Sequence, residues 1–351
     1  MSKIKTGLLV FILLGTALPS QAQWMRKERS KGRLISYNSI GIQAGAMMYF
    51  GDLNPLAQYI STDITSTRPS LGLTFNHRFN SRLTGRIGFN WGRLFADDFK
   101  AANPEDERHR FRYVRNQHFR NDIYELNAMF EFDLFPTLAR NRYYKSLNRI
   151  PFTPYLVAGI AGFYHNPQAK TPANWSGPEG AAQWVALQPL STEGQGLTRG
   201  SDGTSYEKAY SRLQIAIPLG AGVRFKLSNR THLAFEVIYR YLFTDYIDDT
   251  GGNYADPRDL SSDLSRAMAN RTLEPVAAFK GETRLPVDQV ISNVLINDSF
   301  GNPTVSGFGN DGDKRGEGNE DIYLFAGFHL TYIIGRDDDV WCTNGRSRRK
   351  R

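Results

Sequence analysis

Carboxylates are the residues here whose type and spacing could do chemistry. Glu125 and Glu131 stand six positions apart, and a facing pair of acids is what glycoside hydrolysis uses. Asp245, Asp248, Asp249 and Asp256 crowd one stretch, with Asp311, Asp313 and Glu317 further on. Oxygen ligands at that density suit Ca²⁺, a hard cation. The spacing is not that of an EF-hand loop, since Arg315 stands where a ligand would fall. The plainer alternative is a set of caps and Asx turns, with no cofactor at all. His77, His165, His232 and His329 have no acid or nucleophile at a telling spacing, so the sequence offers no catalytic set and the expectation is a protein that is not an enzyme. Cys342 is the single cysteine. That excludes an internal disulfide framework and a Cys/His metal site, and leaves a free thiol or a bond to a partner. Trp341 beside it is an interface type of residue.

What positions these groups is a series of eight alternating segments, 38–49, 68–78, 82–95, 119–134, 152–164, 211–226, 231–244 and 319–334. In the seventh, Leu233, Phe235, Val237, Tyr239, Tyr241 and Phe243 share one face, and His232, Ala234, Glu236, Ile238 and Arg240 share the other. Period-two alternation is the strand signal. The gaps between segments run long, short, long, medium, long, short, long, the connector pattern of a transmembrane β-barrel. The expected fold is all-β, an eight-stranded antiparallel up-and-down transmembrane β-barrel with long external loops.

The second face is too charged for a soluble core. It carries Arg78, Arg86, Arg224, Lys226 and Arg240 against Glu125, Glu131, Asp133 and Glu236, with Gln43, Asn76, Asn90 and His329. Eight strands leave a bore that side chains fill, so these groups are expected to pair across the lumen. Glu125 and Glu131 then act as packing charges. A selective pore is the alternative. Aromatic girdles are expected at Trp91, Phe95, Phe163, Tyr164, Phe243 and Tyr246 above, and at Phe79, Phe135 and Tyr332 below.

Residues 1–22 have the form of a signal peptide, with Lys3 and Lys5 before a short apolar run and a cut expected after Ala22. A periplasmic segment over 23–37, a barrel over 38–334 and a basic periplasmic tail over 335–351 complete the expected organisation. With both ends periplasmic, the external gaps sum to about −9 and the periplasmic segments to about +12. The basic side includes Arg140, Arg142, Lys145 and Arg149. Behind a signal peptide such a surface meets acidic protein or lipid headgroups rather than nucleic acid.

Several stretches carry a likeness. The first segment runs into Tyr49-Phe50-Gly51-Asp52-Leu53-Asn54, the third ends Trp91-Gly92-Arg93-Leu94-Phe95-Ala96-Asp97-Asp98, and the fifth reads from Pro154-Tyr155-Leu156 to Tyr164-His165-Asn166-Pro167. The seventh leads into Thr244-Asp245-Tyr246-Ile247-Asp248-Asp249. Over the whole barrel this resembles the PorG-like outer-membrane barrels of Bacteroidota. That resemblance implies a non-enzymatic outer-membrane protein of a Gram-negative bacterium, docked to a periplasmic ring lipoprotein of the type IX secretion system. Paralogues of unknown function share the motifs. On this basis Cys342, Trp341, Arg140, Arg142, Lys145 and Arg149 are candidate periplasmic contacts, and outer-membrane lipid is the expected surrounding. The alternative is a small porin or surface-ligand receptor acting through the acidic external loops.

Overall fold

The computed structural model describes residues 36–334 apart from 54–65, 108, 136–151, 198, 204, 229, 293–294 and 319. Eight long strands form the body: β1 (Tyr37–Phe50), β2 (Arg68–Arg78), β3 (Leu83–Asp97), β4 (His118–Asp133), β5 (Phe152–Tyr164), β8 (Leu213–Lys226), β9 (Thr231–Leu242) and β12 (Ile322–Ile334). Each pairs antiparallel with its neighbour, β12 pairs with β1, and the circle closes. The barrel leaves none of its own sheet edges open, which is what lets strands cross lipid. Among the described residues, four short strands lie outside the wall: β6 (Gln168–Lys170), β7 (Trp184–Ala186), β10 (Leu295–Asn297) and β11 (Pro303–Val305).

Alternation decides the two faces. Ile42, Leu73, Phe89, Leu126, Ile160, Ile215 and Phe328 point outward and are exposed. Such an apolar wall is stable against lipid and costly against water. The interposed residues point inward and are buried. Two tight turns close one end. Asn80 Oδ1 accepts from Arg82 N (2.8 Å) and Leu83 N (2.9 Å), and Ser228 Oγ accepts from Thr231 N (3.0 Å). These are side-chain-to-backbone turns of the Asx and Ser type. At the first seam Gly45 faces Gly327 across β1 and β12. The Phe325 ring lies over both, and a Cβ at either would come within 3 Å of it.

The long connectors gather at the opposite end. They carry helices α1 (Asp98–Ala101), α2 (Arg110–Arg115), α3 (Asp263–Ala269) and α4 (Val287–Val290). Tyr113, Val114, Val290, Ile291, Val305 and Phe308 form an apolar core there, apart from that of the barrel. A second small core joins Ala169 and Leu187 to Leu264 and Met268. The described parts of the external gaps therefore form a folded cap.

The girdle expectation needs two corrections. Phe163 points into the bore and is buried, because it falls on the inward parity of β5. Phe95 is also buried, because Phe279 of the cap lies against its ring at 4.8 Å between centroids. Tyr164, Phe243, Phe79, Phe135 and Tyr332 are exposed near strand ends.

Candidate functional site: a filled bore under a locked cap

The bore is stacked in layers. At the short-turn end Arg78 donates to Asp133 (2.6 Å), and Arg224 bridges Asp133 (3.0 Å) and Glu131. In the middle Arg86 lies 3.1 Å from Glu131 and 2.7 Å from Glu236. Glu236 also accepts from Gln43 (2.9 Å) and the Tyr155 hydroxyl (2.5 Å). Above that, Arg240 holds Glu125 by two contacts of 3.1 Å, and Tyr323 (2.8 Å), Asn90 (3.1 Å) and Asn127 (2.8 Å) also donate to Glu125. Four guanidiniums meet four carboxylates, so the bore carries no net charge from these groups. Glu125 and Glu236 are fully buried. Lys226 is exposed at the end of β8, opposite His232 of β9.

One arrangement inside looks catalytic. Thr74 Oγ1 lies 2.8 Å from His329 Nε2, and His329 Nδ1 lies 3.3 Å from Glu236. A hydroxyl, an imidazole and an acid in line is the triad pattern. Here all three are buried, and Arg86 already claims Glu236, which leaves no approach for a substrate. Glu131, Glu236 and His329 also bring ligand-type atoms within 4.8 Å of one another. Arg86 contacts both carboxylates, so a guanidinium meets the charge a metal would otherwise meet.

Above the ionic layers Met47, Leu94, Phe119, Ile123, Phe163, Leu242 and Ile247 form an apolar layer across the bore. The acidic floor of the cap follows. Tyr49 Oη lies 2.6 Å from Asp248 and 3.0 Å from Asp321. Asp52 accepts from Glu317 N at 2.9 Å. Burial first, then neighbouring acids, pushes the carboxyls of Asp248 and Asp321 up. Asp245 is pushed up to about 10 by its burial and by Asp52 and Asp248.

The four acids read from the sequence as a Ca²⁺ set do not converge. Asp249 accepts from Tyr210 (2.6 Å) and Thr192 (2.5 Å). Asp256 is held by Arg258 (2.5 Å) and Ser299. Only Asp245 and Asp248 share the floor, and Asp52 and Asp321 join them from β1 and β12. Neighbours in sequence part because the chain turns sharply here, with Asp249 at φ 69°.

Two arginines lock the cap. Arg115 donates to both oxygens of Asp98 (2.8 and 2.9 Å), to Arg315 O (2.6 Å) and to Asp52 O (3.0 Å). It thereby joins the first, second and fourth external connectors. Arg315 donates to Glu193 (2.9 Å) and Asp249 O (2.7 Å), joining the third and fourth. Arg284 donates to four carbonyls, Tyr113 O (2.7 Å), Val114 O (3.0 Å), Thr272 O (3.0 Å) and Glu274 O (3.0 Å), and lies over the Tyr113 ring at 5.4 Å. Asn116, left-handed at φ 58°, caps α2 and reaches Val276 O (3.1 Å) and Ala278 N (3.1 Å). None of these was singled out in the sequence as a cap residue. Their partners lie up to 200 positions away, and no local spacing announces such contacts. Arg140, Arg142, Lys145, Arg149, Trp341 and Cys342 lie outside the described residues, as do the expected signal peptide and tail.

A family model described as a domain of unknown function, DUF6089, matches residues 31–173. No curated protein matches. Among solved structures the chain is similar to the Neisserial surface protein A, at 10% identity and TM-score 0.30, covering 85% of this chain and 96% of that one. It is also similar to Ail, the attachment invasion locus protein of Yersinia pestis, at 9% identity and TM-score 0.32, covering 85% and 99%. The outer membrane protein OprG of Pseudomonas aeruginosa matches at 8% identity and TM-score 0.33, covering 86% and 99%.

Proposed function

We propose that this chain is an outer-membrane barrel of a Gram-negative bacterium that works as a closed, non-catalytic scaffold for docking other proteins. The observation that carries this is the sealed axis. Buried ion pairs fill the bore, an apolar layer lies over them, and the cap is locked by Arg115 and Arg315. Eight strands give an interior that side chains fill, with no water column left over. In planar bilayers the purified protein is expected to leave conductance at the level of the bare membrane. Stable unitary currents from the folded barrel would overturn the scaffold in favour of a porin.

The first docking partner we propose is a periplasmic assembly, a ring lipoprotein of a type IX secretion system in Bacteroidota. It is supported by the resemblance and by the cationic residues at the short-turn end, where Arg82, Lys226 and Arg230 lie near the two hairpins. Arg140, Arg142, Lys145, Arg149, Trp341 and Cys342 would extend that surface. Non-reducing electrophoresis of membranes, compared with Cys342→Ser, tests a covalent form of the contact: a larger reducible band absent from the variant is expected, and monomer in both lanes sinks it. The second reading is recognition of a surface ligand. It is favoured by the cap, because a loop set with its own apolar core presents a fixed surface. Calcium binding at Asp245 and Asp248 is a separate proposal, tested by calorimetric titration of the folded protein with Ca²⁺.

A further inference from the structure

The outer wall has a defect at one level. Across β3, β4, β5 and β8 the outward row reads Phe89, Leu126, Gly162, Ile215, since Phe89 pairs with Leu126, Leu126 with Gly162 and Gly162 with Ile215. Three large side chains flank one that is absent. A Cβ built on Gly162 has no atom within 4 Å. The gap opens a slot of about 360 Å³, walled by Phe89, Leu126, Leu213 and Ile215, with Tyr124 and Tyr164 at its upper end. One step below, the ladder between β5 and β8 lapses opposite Pro218, which has no N–H to give.

Cations stand over the slot. Two residues above Tyr124 on the same face of β4 is Asp122, which holds Arg93 bidentately at 2.7 and 2.9 Å. Two further is Arg120, held by Gln168 (2.9 Å) and stacked over the Trp184 ring at 4.0 Å. Arg93 and Arg120 against Asp122 leave one net positive charge at the upper rim. Arg93 keeps 35% of its side chain exposed. A guanidinium fixed in place above an apolar slot, with tyrosines between, matches an amphiphile with an anionic head.

We propose that this slot seats an acyl chain of a phosphorylated outer-leaflet lipid, whose headgroup phosphate lies at Arg93 and Arg120. The occupant is a lipid because the slot opens on the lipid-facing wall, flanked by Leu126 and Ile215, which are 63% and 62% exposed. The inference rests on the outer-membrane placement proposed above and adds a bound ligand to it.

The test uses full-length protein in mild detergent, with native mass spectrometry against diphosphorylated lipid A, its dephosphorylated form, and glucosamine phosphate without acyl chains. Gly162→Leu fills the slot from a position where an added Cβ has no atom within 4 Å, so the barrel should still fold. Arg120→Gln removes the cation. Retention of lipid A is expected to fall by about tenfold or more in each variant, and wild-type retention of the dephosphorylated lipid to lie below that of lipid A by a similar factor, equivalent to about 1.4 kcal/mol. Retention unchanged by Gly162→Leu would overturn the slot. Equal binding of the dephosphorylated lipid, or equal binding of the free sugar phosphate, would overturn the pairing of chain and headgroup. Failure of the wild type to insert into vesicles as a heat-modifiable barrel would instead overturn the membrane placement, so the two failures are told apart.

Discussion

Replacing Arg240 with methionine removes one half of the upper ionic layer and keeps most of its volume. Glu125 would lose two contacts of 3.1 Å and keep those from Tyr323, Asn90 and Asn127. Breaking a buried ion pair from one side costs about 3–5 kcal/mol, because the charge left behind is uncompensated. Three remaining neutral donors, each contributing about 1 kcal/mol, place the cost toward the low end of that range, about 3 kcal/mol. Glu125→Leu leaves the opposite charge. Arg240 then keeps Ile238 O at 3.2 Å and two aromatic faces at 5.7 Å but no acid partner, so its cost should be nearer 4–5 kcal/mol, roughly the top of the range. With both replaced, neither charge is stranded, and the double variant should lie within about 1–2 kcal/mol of wild type. The assay is urea unfolding of vesicle-inserted protein followed by tryptophan fluorescence, at low and high salt. Burial should make the differences nearly independent of salt. Single variants costing under about 1 kcal/mol, as a solvated surface pair does, would refute a dry bore. So would a double variant that costs the sum of the singles.

Three further outcomes follow from the cap and the seam. Arg115→Met should free the external connectors, giving faster limited proteolysis between β3 and β4 and between β9 and β12 while the barrel stays heat-modifiable; unchanged cleavage would remove Arg115 as the lock. Asp245 is pushed up to about 10 and Glu193 to about 7, in each case mainly by burial. The folded cap therefore binds more protons than the unfolded chain between pH ~4 and those values, so its stability is greatest below pH ~4 and falls as pH rises through 7 to 10. Amide exchange of the cap should quicken over that interval, and Asp245→Asn should flatten its upper part; a cap that tightens with rising pH would contradict this. Gly45→Val should lower the urea midpoint, since a Cβ there meets Ala326 O at 2.4 Å, and a midpoint equal to wild type would mean that β12 yields without cost.

The eight strands were legible because period two is a local property. In β4, Leu126, Phe130 and Phe132 are exposed and Glu125, Glu131 and Asp133 are buried, as alternation alone requires once the wall faces lipid. The inward charges could be counted, five cations against four acids, and a near balance of opposite sign implies pairing somewhere. Which acid meets which base could not be read. Glu236 lies 150 positions from Arg86, and register and strand order set that distance. Phe163 lies near a strand end, as a girdle residue would, but parity turns it into the bore.

The cap shows the sharper limit. Asp245, Asp248, Asp249 and Asp256 look like one site in a linear chain. The fold sends Asp249 to Tyr210 and Asp256 to Arg258, and brings Asp52 and Asp321 in beside Asp248. Arg315, which in sequence only spoils a calcium loop, becomes the joint between two connectors. Sequence by itself determined the barrel, its two faces and its charge balance, because each depends on repeats within a strand and on connector length. Tertiary structure alone decided the ion-pair partners, the lock on the cap and the slot at Gly162. Each of these needs side chains from different strands to meet at one level, and only the closed register sets those levels.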